Sequence, residues 1–192
     1  MIVKSKYIDT HKTCVENTQK TLNERYDEDH YDFTHTDPRA FGCDIEKLMI
    51  GNLLKLGIKG YHNGLVSSKD PDFISIRDPF FTTEYKSHLV NDGSTYKDYV
   101  YSICRYSKIE SEYYNDKNFT LVLINYKFKC KYDSVSDEYC KEMSYRENIH
   151  EFIITDFYII YNCTYKNLPD QIRMRSNGEL NIENYIYEHV IL

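Results

Sequence analysis

"KDPDFISIRDPFFTTEYKSH", residues 69–88, sets Asp70-Pro71-Asp72 and Asp78-Pro79 around two runs of β-forming residues. "FISIR" (73–77) and "FTTEYKS" (81–87) have the length and composition of strands, and "DPF" (78–80) between them is turn chemistry, with Asp78 a turn residue. A hairpin is expected. Asp72 at the start of the first strand then lies near the end of the second, where Glu84 and Lys86 share a face because side chains alternate. Two carboxylates and an ammonium converge. Glu84-Tyr85-Lys86 is also the one place in the chain where an Asp or Glu is followed two residues later by Lys.

Upstream, "DIEKLMIGNLLKLG" (44–57) puts Ile45, Met49, Ile50, Leu53, Leu54 and Leu56 on one broad side of a helix, with Gly57 just past its end. Stepping about 100° per residue, Glu46 falls between Leu53 and Ile50, inside the apolar arc. A lone carboxylate there costs several kcal/mol unless it is paired or bound to a metal, so Glu46 requires a partner, and the hairpin site is a candidate. Between helix and hairpin, "IKGYHNG" is a short extended piece. The polar first 43 residues are expected to form a helix followed by a loop.

Downstream, "TYKDYVYSICRYSKI" (95–109) returns to helical spacing, and "FTLVLINYKF" (119–128) and "EFIITDFYIIY" (151–161) have strand composition. The first of these strands is the natural parallel partner of the hairpin, reached by crossing over the helix. Residues 170–186 suggest a turn and then a terminal strand or helix. The expected fold is α/β: helix, three strands, helix, strand, with a central mixed sheet flanked by helices, in a single domain spanning residues 1–192.

The 192 residues, 41% hydrophobic and 28% charged, suffice for one sizeable core. No apolar run approaches the roughly 20 residues that span a bilayer, so a soluble, intracellular protein without membrane partners is expected. Six scattered cysteines with no C-x-x-C pair support neither a zinc ribbon nor a disulfide framework. The net charge of −6 argues against a protein that coats nucleic acid, but not against a nuclease with an acidic metal site.

"PDF" (71–73), "EYK" (84–86) and the helical Glu46 together resemble the PD-(D/E)xK nuclease superfamily, the restriction-endonuclease-like fold, over about residues 42–128. "GIKGYHNG" ahead of "KDPDF" also looks like the approach to this motif in type IIS cleavage domains, although some of those carry Gly where this chain has Phe73. The resemblance implies metal-dependent phosphodiester hydrolysis. Asp72, Glu84 and the Tyr85 carbonyl would hold Mg²⁺ or Mn²⁺, with Glu46 contributing directly or through water. Lys86 would orient or help deprotonate the attacking water and stabilise charge on the phosphate.

DNA of restriction or genome-defence type is the favoured substrate. An RNA endonuclease resembling the viral cap-snatching domains is an alternative, with His35 in the loop before the helix, and so is an inactive member of the fold that binds nucleic acid or protein. The hairpin charges also fit an exposed cross-strand ion pair of little energetic weight. Residues 96–132 carry seven Lys/Arg against four Asp/Glu, and Lys97, Tyr101, Arg105 and Lys108 on the polar side of the second helix fit a phosphate-tracking strip or a solvated face. Cutting both strands of a duplex calls for two active sites or sequential nicks by one, so a homodimer, or a monomer that pairs on DNA, is expected.

Overall fold

A computed structural model of the chain describes residues 2–27, 38–63, 69–90, 110–130, 149–168 and 185–192. Among these residues two helices, α1 (Ile2–Asp27) and α2 (Pro38–Lys55), precede six strands: β1 (Gly60–His62), β2 (Phe73–Ser75), β3 (Thr83–Leu89), β4 (Phe119–Cys130), β5 (Ile149–Cys163) and β6 (Tyr187–Ile191). The strands form one sheet in chain order, with β3 and β4 parallel and every other neighbouring pair antiparallel. The architecture is α/β with a mixed sheet. β4 is the parallel partner that the sequence suggests; the expected crossover helix, residues 95–109, lies outside the described residues.

The end of α2 follows from Gly57. Its φ of 82° is open to glycine, and it lets Gly57 N–H reach the Leu54 carbonyl at 3.0 Å and Ile58 N–H the Leu53 carbonyl at 3.1 Å, the paired bonds of a Schellman stop. Ile45, Met49, Ile50 and Leu53 are buried as the helical spacing requires. Leu54 and Leu56 are not, at 44% and 45% exposure. Leu54 stands about 180° from Ile45, beyond the buried stripe, and Leu56 falls in the turn past the last helical residue.

The polar N-terminal segment does more than the sequence suggests. Tyr7, His11, Cys14, Val15, Thr18 and Leu22 follow helical spacing and are all fully or almost fully buried. Of these, Tyr7, Cys14, Val15 and Leu22 join α2, Phe73, Phe81, Tyr85 and inward residues of β4 and β5 in the larger core. Asn52 of α2 ties the helices together by donating to the Cys14 carbonyl and the Thr18 hydroxyl. On the sheet side, Asn23 exchanges two hydrogen bonds with the Phe152 backbone, at 2.8 and 2.9 Å, and Gln19 accepts from Ile154 N–H at 2.6 Å. A smaller core on the other sheet face gathers Phe119, Leu121, Leu123, Ile160, Cys163, Tyr165 and Leu168.

β1 passes very close to β2. A Cβ on Gly60 would come within 2.3 Å of the Phe73 ring and 2.5 Å of the Ile74 carbonyl, so only glycine fits there. The register sets His62 opposite Phe73. Between β2 and β3, Asp78 accepts from Phe80 N–H at 3.1 Å and starts a short 3₁₀ turn, Pro79–Phe81, as expected of an Asp-Pro corner.

Candidate functional site

β2 and β3 pair at one position only, Phe73 opposite Thr83. The Tyr85 N–H, two residues further along β3, is met by the Asp72 carboxylate at 2.8 Å. Asp72 thus serves as a side-chain substitute for the missing strand partner. Its own carbonyl accepts from Asn63 N–H at 2.7 Å, fixing the segment from the β1 side.

Alternation along β3 sends Thr83 and Tyr85 to the helical face and Glu84 and Lys86 to the other. The Lys86 side chain folds back instead of extending to solvent. Its Nζ lies 2.7 Å from Glu84 Oε1, 2.9 Å from the Tyr85 carbonyl oxygen and 3.7 Å from Asp72 Oδ2. The second Glu84 oxygen accepts from the Tyr165 hydroxyl at 2.8 Å, so both ends of this 2%-exposed carboxylate are held.

Electrostatics match the crowding. Burial first, and then the neighbouring Glu84, push the Asp72 carboxyl up to about 7 against the opposing pull of Lys86. Burial pulls Lys86 down, but Asp72 and Glu84 more than offset it and hold the ammonium above its ordinary value, so the lysine is charged. Burial, reinforced by Glu84, raises the Tyr165 phenol far above its usual range, so it remains a proton donor to the carboxylate.

The hairpin thus brings together Asp72, Glu84, Lys86 and the Tyr85 carbonyl, all four of the residues that the sequence singles out there. Glu46 is partly buried, as its place in the apolar arc suggests, but its direct partner is His62, with Nε2 3.0 Å from Oε1. Its charge still reaches the site, acting on both Asp72 and Lys86. Lys97, Tyr101, Arg105, Lys108 and His35 lie outside the described residues.

Sequence reasoning missed three residues around this centre. His62 sits on a strand too short to show a pattern, although its place ten residues before Asp72 in an extended piece was a usable signal. Tyr165 is one of twenty tyrosines, and nothing local marks it. His11, fully buried on α1, bonds the Tyr85 hydroxyl through Nε2 at 3.1 Å and the Tyr7 carbonyl through Nδ1 at 3.1 Å. A carbonyl only accepts, so Nδ1 carries the proton and Nε2 accepts from Tyr85.

Among the described residues no group of three or more His, Cys, Asp or Glu side chains is arranged to hold a metal ion. Two carboxylates and a carbonyl are nevertheless a hard-oxygen donor set suited to Mg²⁺ or Mn²⁺, and they already face a cation, the Lys86 ammonium. The chemistry of the donors fits a divalent ion, provided that the lysine moves. No described helix is long and apolar enough to cross a membrane. The chain matches no protein-family model, no curated protein and no solved structure.

Proposed function

We propose that the chain is a metal-dependent endonuclease of the PD-(D/E)xK type, hydrolysing phosphodiester bonds in DNA. The observation that carries this is the convergence of Asp72, Glu84, Lys86 and the Tyr85 carbonyl where β2 stops pairing with β3. A purely structural ion pair does not call for a second carboxylate at the same nitrogen, with one acid pushed up to about 7.

Asp72, Glu84 and the Tyr85 carbonyl offer oxygens to Mg²⁺ or Mn²⁺. When bound, such an ion supplies Lewis acidity and lowers the pKa of its water. Lys86 orients the attacking water and balances charge growing on the phosphate. Tyr165 fixes the Glu84 carboxylate, and the Glu46–His62 pair adds negative potential at the side of Asp72. Residues 96–132, with their excess of Lys and Arg, are the natural place for the phosphate backbone, and a homodimer would set two such sites on antiparallel strands.

The test is incubation of purified protein with plasmid and with single-stranded RNA, each with Mg²⁺, Mn²⁺ or EDTA. Metal-dependent plasmid cleavage leaving 5′-phosphate ends is expected. Cleavage of RNA alone would move the proposal to an RNA endonuclease, and no cleavage of either would leave a nucleic-acid- or protein-binding member of the fold.

A further inference from the structure

The Lys86 nitrogen lies among the oxygens that would hold a divalent ion. Two of the three oxygens named above lie within 3 Å of it and the third at 3.7 Å, and one of them is the carbonyl of the residue immediately before Lys86, reached only because the side chain doubles back on its own strand. A lysine on a sheet face normally runs its four-carbon stem outward and keeps its charge in water. This one gives that up for buried carboxylates. A divalent ion on these oxygens would stand about 2.0–2.6 Å from them, overlapping the ammonium in space and repelling it in charge. The two cations cannot share the site as it stands.

We propose that Lys86 is the resident counter-ion of the metal-free site, so that metal entry and lysine departure are one exchange. This rests on the metal-dependent nuclease proposed above and adds a coupling to it. Without metal, the lysine offsets part of the charge of Asp72 and Glu84 and ties the start of β3 together. Metal entry releases the ammonium on its flexible stem, and only then is it free to meet a phosphate. The residue needed for chemistry is therefore withheld until the site is loaded, and metal affinity is set partly by the cost of evicting it.

The test measures Mn²⁺ alone, without nucleic acid, binding to the wild-type chain and to Lys86→Met by calorimetry or by loss of the free-ion paramagnetic resonance signal. Met keeps the length of the stem and removes the charge. The variant should bind Mn²⁺ at least about tenfold more tightly although it cannot cleave. Because the variant leaves two carboxylates uncompensated and can lose its fold, the wild-type chain supplies a second readout. Acylation of Lys86 by an amine-directed reagent, followed by peptide mass spectrometry at constant pH, should rise several-fold when Mn²⁺ is added. Equal or weaker Mn²⁺ binding by a folded variant, or labelling of Lys86 that does not change while wild type binds Mn²⁺, overturns the exchange and leaves the nuclease proposal standing. No Mn²⁺ binding by either protein removes both.

Discussion

Tyr85 and its neighbours Glu84 and Lys86 are adjacent in the chain and face opposite worlds. On the helical side of β3, Tyr85 ends in a closed chain of contacts: its hydroxyl bonds His11, His11 stacks on Tyr7 with ring centroids 4.2 Å apart, and Tyr7 bonds Thr83 back on the same strand. No charge enters that chain. On the other side, Glu84 and Lys86 stand opposite Leu121 and Leu123 of the smaller apolar core, and further along the same face Asn125 bonds Asp156 at 2.9 Å and His189 lies 2.8 Å from Asp156. Around Tyr85 the partners are neutral, whereas Glu84 and Lys86 are ionic groups at the edge of an apolar core. The neutral face fixes the backbone of Tyr85, whose N–H and carbonyl are the groups that Asp72 and Lys86 hold. Rigidity on one side is what gives the other side its geometry.

Changes on each face should therefore separate activity from stability, and the largest separation is expected at two positions. Phe157→Ala, in the fully buried larger core, should cost about 3–5 kcal/mol in urea unfolding yet leave cleavage per folded molecule unchanged at permissive temperature. Lys86→Ala should act on the chemistry: a fall in turnover per folded molecule on the order of 10²–10³ or more. If Phe157→Ala kills activity in the folded state, or Lys86→Ala cuts normally, the division of labour between the faces is wrong.

An intermediate effect is expected from His11. Burial lowers its pKa from 6.5 to about 4, opposed only by its bond to the Tyr7 carbonyl. Because the unfolded chain binds the proton more readily, this group contributes stability above pH 6.5 that is lost as pH falls toward 4, about 3 kcal/mol in all. Asp72 acts in the opposite sense over an overlapping range, since an acid raised to about 7 makes the fold less stable as pH rises. The His11 share is isolated by comparison: His11→Gln should flatten the acid limb of the stability curve relative to wild type. A parallel pair of curves would show that His11 is not the source.

The smallest effect is expected from Tyr165→Phe, which removes one hydrogen bond to the Glu84 carboxylate, roughly 1.5–3 kcal/mol for a bond to a charged group. It should appear as a modest loss of thermal stability together with altered Mn²⁺ affinity, because Glu84 Oε2 loses the hydroxyl that holds it. Unaltered Mn²⁺ affinity would confine Tyr165 to packing against Phe119.

What could be read from the sequence followed from how regular the signal is. α2, the β2–β3 turn, β4 and β5 carry long apolar periods or a Pro-anchored corner, and Asp72, Glu84 and Lys86 could be assembled because the turn between them is short. The buried stripe of α1 was hidden by its residue types: Tyr7, His11 and Thr18 count as polar until their partners, Thr83, Tyr85 and Met49, are known. Glu46 was recognised as needing a partner, but that partner, His62, is brought to it by a three-residue strand whose position depends on Gly60 passing under Phe73. Tyr165 reaches Glu84 across 81 residues of chain, a distance at which no local pattern carries information.

The two amide side chains that α1 lays against β5 have a consequence for solubility. Among the described residues β6 pairs with β5 over Asp156–Ile160, while Phe152 and Ile154, on the stretch before it, offer their backbone groups to Asn23 and Gln19. An uncovered strand rim of that kind recruits further strands from other molecules. The helix covers it there by imitating the hydrogen-bonding pattern of a strand without being one, through the side-chain amides of Asn23 and Gln19. A chain that lost α1 would bare this rim together with the core face that Tyr7, Val15 and Leu22 cover, and aggregation would accompany the loss of the helix.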